Sequence, residues 1–193
     1  MNKILVVGGA GNIGTALLKK LSKRSDLEFI IIDNFSTSET KSNNLTILNN
    51  FELYKLDFQN LKDFKVENFS GISRIIHLAA YTDIDESSKF GASFNEYIIS
   101  KQENEMLLSA TAKERSLKFN IVRFGTIHGV TPNMKFHTAV NKFCWQAYRN
   151  EQISLWVDSL CTLRPYLGIQ DAIHSIELFI DDKMINNEVY NVA

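Results

Sequence analysis

A glycine cluster near the start of the chain, Gly8-Gly9-Ala10-Gly11-Asn12-Ile13-Gly14, constrains the fold more than any other feature. It separates two segments of different period. Before it, Lys3 to Val7 is a short apolar run that reads as a buried strand. After it, Ile13, Ala16, Leu17 and Leu21 recur at helical spacing within Asn12 to Lys23. The cluster satisfies both Gly-x-Gly-x-x-Gly and the wider Gly-x-x-Gly-x-x-Gly, and each glycine has its own task. One allows the tight turn from strand to helix, Gly11 lets a pyrophosphate approach the backbone, and Gly14 lets the helix pack closely on the strand. The N–H groups that open the helix, at Asn12 and Ile13, have no intrahelical acceptor, and an anion can sit over them.

Asp33 lies 19 residues beyond Gly14, at the end of a second buried run from Glu28 to Ile32. A carboxylate there can accept both ribose hydroxyls of a dinucleotide and would repel a 2′-phosphate, which favours NAD over NADP. Asp-Asn is also a common turn pair. The distance to the glycine loop favours the ribose role.

The rest of the chain alternates between the two periods. Strands are expected at Phe51 to Leu56, Arg74 to Ala79, Phe119 to Phe124, Ile153 to Val157 and Glu188 to Val192. Helices are expected at Leu61 to Phe69, Asn95 to Arg115, Phe136 to Tyr148 and Gln170 to Ile180, with polar loops at Asn34 to Asn44 and Tyr81 to Ser93. Such alternation implies an α/β fold, a doubly wound and mostly parallel sheet with helices on both faces.

A length of 193 residues suits one domain with a small appendage. The net charge of −1, without a Lys/Arg run, argues against nucleic acid or a membrane surface as partner. No apolar run approaches the ~20 residues of a membrane-spanning helix, and no signal-peptide pattern is evident, so a cytoplasmic location is expected. Cys144 and Cys161 are too few for a disulfide framework and are expected to be reduced, packed thiols. Histidines 77, 128, 137 and 174 lack metal-ligand spacing, so no metal is expected. No lysine follows the glycine loop as phosphoryl transfer would require. Phe143, Trp145 and Tyr148, at helical spacing, are expected in the core.

Several segments, taken in order, resemble the extended short-chain dehydrogenase/reductases, in particular the NAD-dependent nucleotide-sugar epimerases and dehydratases. They are Gly8–Gly14, Asp33-Asn-Phe-Ser36, Leu56-Asp-Phe58, His77-Leu-Ala-Ala80, Tyr97-Ile-Ile-Ser-Lys101, Arg123-Phe-Gly-Thr-Ile-His-Gly129 and Arg164-Pro-Tyr-Leu-Gly-Ile-Gln-Asp171. The resemblance implies a Rossmann-like domain over residues 1–130 and a partial substrate-binding region over 131–193. It also implies bound NAD, a nucleotide-sugar substrate and a helix-bundle homodimer.

Carried over residue by residue, the resemblance adds Asn34 to the cofactor site, sets Asp57 and Phe58 at the adenine edge, and lines the cofactor with Leu78, Ala79 and Ala80. Tyr97 and Lys101 become the catalytic pair. Four residues apart on a helix, they share a face, and an ammonium beside a phenol draws its pKa from about 10 towards neutrality. Lys101 would also hold the nicotinamide ribose. Ser100 and Glu105 match the same helix. Arg164 and Tyr166 correspond to contacts with the nucleotide part of the substrate, the arginine fork suiting a diphosphate. Thr126, taken as a substrate contact, and His128 stand where the family usually has Asn and Tyr.

The chain departs from the family in length. Between Ala80 and Tyr97 roughly 50 residues are missing, about one strand–helix unit, and with them the family's catalytic Ser/Thr loop. The family also continues beyond Ala193. A second alignment places His77 to Glu96 at the start of the missing helix, with Ile84, Ser87 and Phe94 in register, which would make Tyr97 and Lys101 structural. Two functions follow: an epimerase or dehydratase acting by hydride transfer at a sugar hydroxyl carbon, or a non-catalytic NAD(H)-binding relative.

Overall fold

Among the described residues, three parallel sheets are built from eight strands, all in short apolar or alternating runs. The computed structural model describes residues 2–36, 50–57, 70–79, 94–115, 118–136, 138–155, 163–181 and 187–193; within 94–115, side chains are described at 99 and 101–114. The strands are β1 (Asn2–Val7), β2 (Leu27–Asp33), β3 (Phe51–Lys55), β4 (Ile72–His77), β5 (Ile121–Phe124), β6 (Thr126–His128), β7 (Tyr166–Gly168) and β8 (Val189–Val192). The helices are α1 (Asn12–Leu21), α2 (Phe94–Arg115), α3 (Ala139–Tyr148) and α4 (Ile169–Ile180). The expected helix at Leu61 to Phe69 and the loop at Tyr81 to Ser93 lie outside the described residues.

The main sheet has the order β3-β2-β1-β4, with β5-β8 and β6-β7 as separate pairs. Every pairing is parallel. Strands β1 and β2 are apolar on both faces because both faces are covered. On one face Ile4, Val6, Phe29 and Ile31 meet Leu17, Leu18 and Leu21 of α1 and Ile169, Ile173, Ile176 and Ile180 of α4. On the other, Leu5, Val7, Ile30 and Ile32 form a second cluster with Tyr54, Leu56, Ile72 and Ala79 around it. Both faces of the sheet are buried, in keeping with the α/β fold and mostly parallel sheet that the sequence pattern implies.

Some expectations are corrected. Residues 153–155 form no strand: Ile153 and Leu155 are exposed, and the Ser154 N–H donates to Gln146 Oε1 (3.3 Å) instead of to a neighbouring strand. Residues 156 and 157 lie outside the described set. Helix α3 begins at Ala139, after an extended Thr138, and not at Phe136. Its aromatic residues are not core: Trp145 is 40% and Tyr148 80% exposed, and only Phe143 is half-buried. The two stack on each other at the surface (5.9 Å between centroids), with Phe136 5.0 Å from Trp145 and the Arg149 guanidinium over the Trp145 ring. Cys144, on the same helix, is exposed and not packed; Cys161 is outside the described residues. Strands β6 and β7, three residues each, are additions to the expected list. Among the described residues no helix is long and apolar enough to cross a membrane.

Candidate functional site

The glycine loop joins the end of β1 to the start of α1, at the carboxyl edge of the sheet where parallel α/β folds bind ligands. Gly8 takes a left-handed turn (φ +80°), which glycine adopts without strain. A Cβ there would lie 2.5 Å from the Ala79 nitrogen, so the loop and the residue after β4 are in direct contact. Both Leu78 and Ala79 donate their N–H groups to the Val7 carbonyl (2.8 and 3.1 Å), which fastens the end of β4 beside the loop. At Gly14 a Cβ would come 2.5 Å from the Gly9 carbonyl oxygen, so only glycine lets the helix sit so close. At Gly11 the one atom a Cβ would meet within 4 Å is the Gly8 oxygen at 3.2 Å, which leaves that side of the loop open. The first intrahelical bond is Thr15 N–H to the Gly11 carbonyl (3.0 Å), so the N–H groups of Asn12, Ile13 and Gly14 precede the helical ladder. An open glycine side beside aimed N–H groups fits a pyrophosphate.

Asp33 makes the turn weighed for it and also reaches the glycine loop. Its Oδ1 accepts the Phe35 N–H (2.8 Å), an Asx turn, while its Oδ2 accepts the Ala10 N–H (2.9 Å). The carboxylate is thereby fixed at the glycine loop, and its oxygens keep lone pairs for ribose hydroxyls. Asn34 donates from Nδ2 to Asp57 Oδ2 (3.0 Å), so these two sequence-derived residues stand together beside Asp33. Phe58 and Ala80 are outside the described residues.

Lys101 lies on α2, one turn after Tyr97. The Tyr97 side chain is not among those described. Lys101 is half-buried, and its pKa is pushed below the ordinary lysine value by desolvation, against the opposing pull of Glu105. His77, at the end of β4, is also lowered, first by desolvation and then by the Lys101 ammonium, so the charge of Lys101 is felt at the end of β4. One turn further on, Glu105 accepts two hydrogen bonds from Arg123 of β5 (2.5 and 3.0 Å). The pair holds α2 against β5, and the Arg123 guanidinium keeps the Glu105 carboxyl below the usual carboxylate range.

Thr126 and Tyr166 are brought together as register partners of the β6-β7 pair. His128 sits edge-on to Tyr166, with 6.5 Å between centroids. Arg164 is exposed just before β7. Sequence reasoning missed the segment between β6 and α3. Thr131 donates to Asn12 Oδ1, and Asn133 Nδ2 donates to the Ala10 carbonyl (2.8 Å). Only the polar, proline-containing turn at 131–134 hinted at it.

The fold and this loop define a dinucleotide-fold protein with a parallel sheet. A model of the NAD dependent epimerase/dehydratase family matches residues 4–96 and 82–193, and the chain belongs to that family. The two matches overlap at 82–96, and Tyr97 and Lys101 fall only within the second. A dTDP-D-glucose 4,6-dehydratase of Dictyostelium discoideum is 37% identical over 103 residues, which cover 50% of this chain and 23% of that protein. Solved structures share the fold. A UDP-glucuronic acid 4-epimerase from Bacillus cereus, bound to UDP-glucuronic acid and NAD, superposes with a TM-score of 0.80 at 22% identity, over 98% of this chain and 76% of that one. A dTDP-glucose 4,6-dehydratase from Streptomyces venezuelae with NAD bound gives 0.79 at 18% identity, over 98% and 74%.

Proposed function

We propose that the chain binds NAD(H) in the glycine loop and acts on a nucleotide sugar as an epimerase or dehydratase. The observation that carries this reading is the Ala10 N–H donated to Asp33 Oδ2, which sets a ribose-binding carboxylate beside a pyrophosphate cradle. Asn12 and Ile13 offer their N–H groups to the pyrophosphate, Asn34, Asp57 and Phe58 flank the adenosine half, and Leu78, Ala79 and Ala80 form the wall beside β4. Bound NAD supplies hydride acceptance and return.

Tyr97 removes the proton of the sugar hydroxyl and later restores it. Lys101 stabilises the phenolate, and its half-buried position strengthens that effect because the field is less screened by water. Thr126, Arg164 and Tyr166 contact the substrate, with the Arg164 fork on its diphosphate. In this reading residues 131–193 are the substrate-binding region, packed on the dinucleotide half (1–130). The exposed Ile99, Met106, Leu107 and Leu108 of α2 support a homodimer through that helix. A cytoplasmic location suits its soluble cofactor and substrate.

The test is a fluorescence titration with NADH, followed by a panel of UDP- and dTDP-sugars assayed for epimer exchange, dehydration or NADH formation. Binding with turnover of one sugar nucleotide is expected. Binding without any turnover selects the non-catalytic alternative, which the shortened segment before Tyr97 favours. No binding overturns the cofactor assignment.

A further inference from the structure

We infer that residues 129–136 form a strap that holds the dinucleotide loop in its binding shape, and that Asn141 is the residue positioning this strap. The inference rests on the NAD(H) reading of the loop and concerns residues the family resemblance does not assign. Its starting point is entropy. Gly8, Gly9 and Gly11 give the loop many backbone states, and ordering it only when ligand arrives would weaken binding. The strap removes that freedom beforehand. Its Asn133 Nδ2 donates to the Ala10 carbonyl (2.8 Å), while the Ala10 N–H is held by Asp33 Oδ2 (2.9 Å). The Gly11 N–H that completes the Ala10–Gly11 peptide bonds to the Gly8 carbonyl (3.2 Å). That peptide therefore cannot turn its carbonyl towards the anion without breaking two hydrogen bonds.

Thr131 acts one residue further on. Asparagine side chains readily accept unpaired N–H groups near a helix start, in competition with a bound anion. The Thr131 hydroxyl donates to Asn12 Oδ1 and fixes the direction of that carboxamide, which limits its competition for the loop N–H groups.

The strap itself is held from below. Asn141, 4% exposed, accepts the Gly129 N–H at Oδ1 (3.1 Å) and donates from Nδ2 to the Lys135 carbonyl (2.9 Å). One carboxamide thus pins both ends of the strap. Gly129 (φ +122°) presses on Ile169 of α4, where a Cβ would lie 2.8 Å from Cγ2. The Met134 N–H closes the turn onto the Thr131 carbonyl (3.2 Å).

The test compares the full chain with Thr131→Val/Asn133→Ala, Thr131→Ser and Asn141→Ala. NADH affinity is read by fluorescence, and amide hydrogen exchange is followed in a peptide spanning residues 8–16. Losing two hydrogen bonds that pre-order the loop should weaken NADH binding about 5- to 30-fold in the double variant. Its loop amides should exchange faster in the free protein and regain protection when saturated. Thr131→Ser keeps the hydroxyl and should bind as the unaltered chain does. Asn141→Ala should reproduce the weakening although it touches no part of the loop. Should that variant fail to fold, the double variant decides alone. Undiminished affinity in the double variant, with the unaltered chain binding NADH, overturns the strap and leaves the cofactor reading intact. Absence of NADH binding by the unaltered chain overturns both.

Discussion

Helices α1 and α3 are each ten residues long, yet they are built for different ends. Helix α1 buries Gly14, Thr15, Leu17, Leu18 and Leu21 against the sheet and α4. Helix α3 buries Asn141 alone, a polar residue, and turns Trp145 and Tyr148 outward. Apolar burial is diffuse and tolerates small shifts, whereas a carboxamide with two fixed partners specifies one geometry. The first helix holds the fold together. The second holds a loop in place.

Substitutions in the two helices should separate these roles. The largest effect is expected at Gly14→Ala. Its new Cβ would meet the Gly9 backbone, which has no room to yield, and a loss above about 4 kcal/mol should abolish the cooperative urea transition. Next comes Leu17→Ala, which opens a cavity in the core and should lower stability by about 2–5 kcal/mol in urea titrations. Asn141→Ala leaves the Gly129 N–H and the Lys135 carbonyl without their partner. About 1–3 kcal/mol is expected in the same titration, with NADH affinity falling as well.

Glu105→Gln extends the comparison to α2 through pH. The folded carboxyl titrates below its ordinary value because of Arg123. Its stabilising contribution is therefore present above the unfolded pKa of about 4.3 and is lost as pH falls through the lower folded value. The urea midpoints of the two proteins should differ at pH 7 and converge as pH falls below the folded value. The smallest effect, within about 0.5 kcal/mol, is expected for Trp145→Ala on the exposed side of α3. A loss there equal to that of Leu17→Ala would break the contrast between the helices.

The core of the fold was readable from the chain because β1 and β2 are buried on both faces. Their apolar runs are continuous and end at residues with their own signals, Gly8 and Asp33. The loop with its acid was readable too, since glycine spacing and strand ends are local properties. The three-residue strands β6 and β7 are too short to show a period. The run at 153–155 has strand-like residues but meets Gln146 instead of a strand. Trp145 and Tyr148 follow the helical period of a core stripe, and periodicity cannot say which stripe of a helix faces inward. The strap was illegible for a different reason. Its bonds to Asn12 and Ala10 span 119 and 123 residues, and nothing in a Thr-Pro-Asn turn announces a partner that distant.

The backbone of Ala10 bears on modularity. Its carbonyl receives a hydrogen bond from the far half of the chain and its N–H gives one to the near half, so the first 128 residues are not a transferable cofactor cassette. A chimera joining them to a foreign second half would inherit the strands and α1, but the grip of the loop would depend on a donor where Asn133 now stands. Exchange at that single position is thus a handle on cofactor residence time that leaves every cofactor-touching residue unaltered.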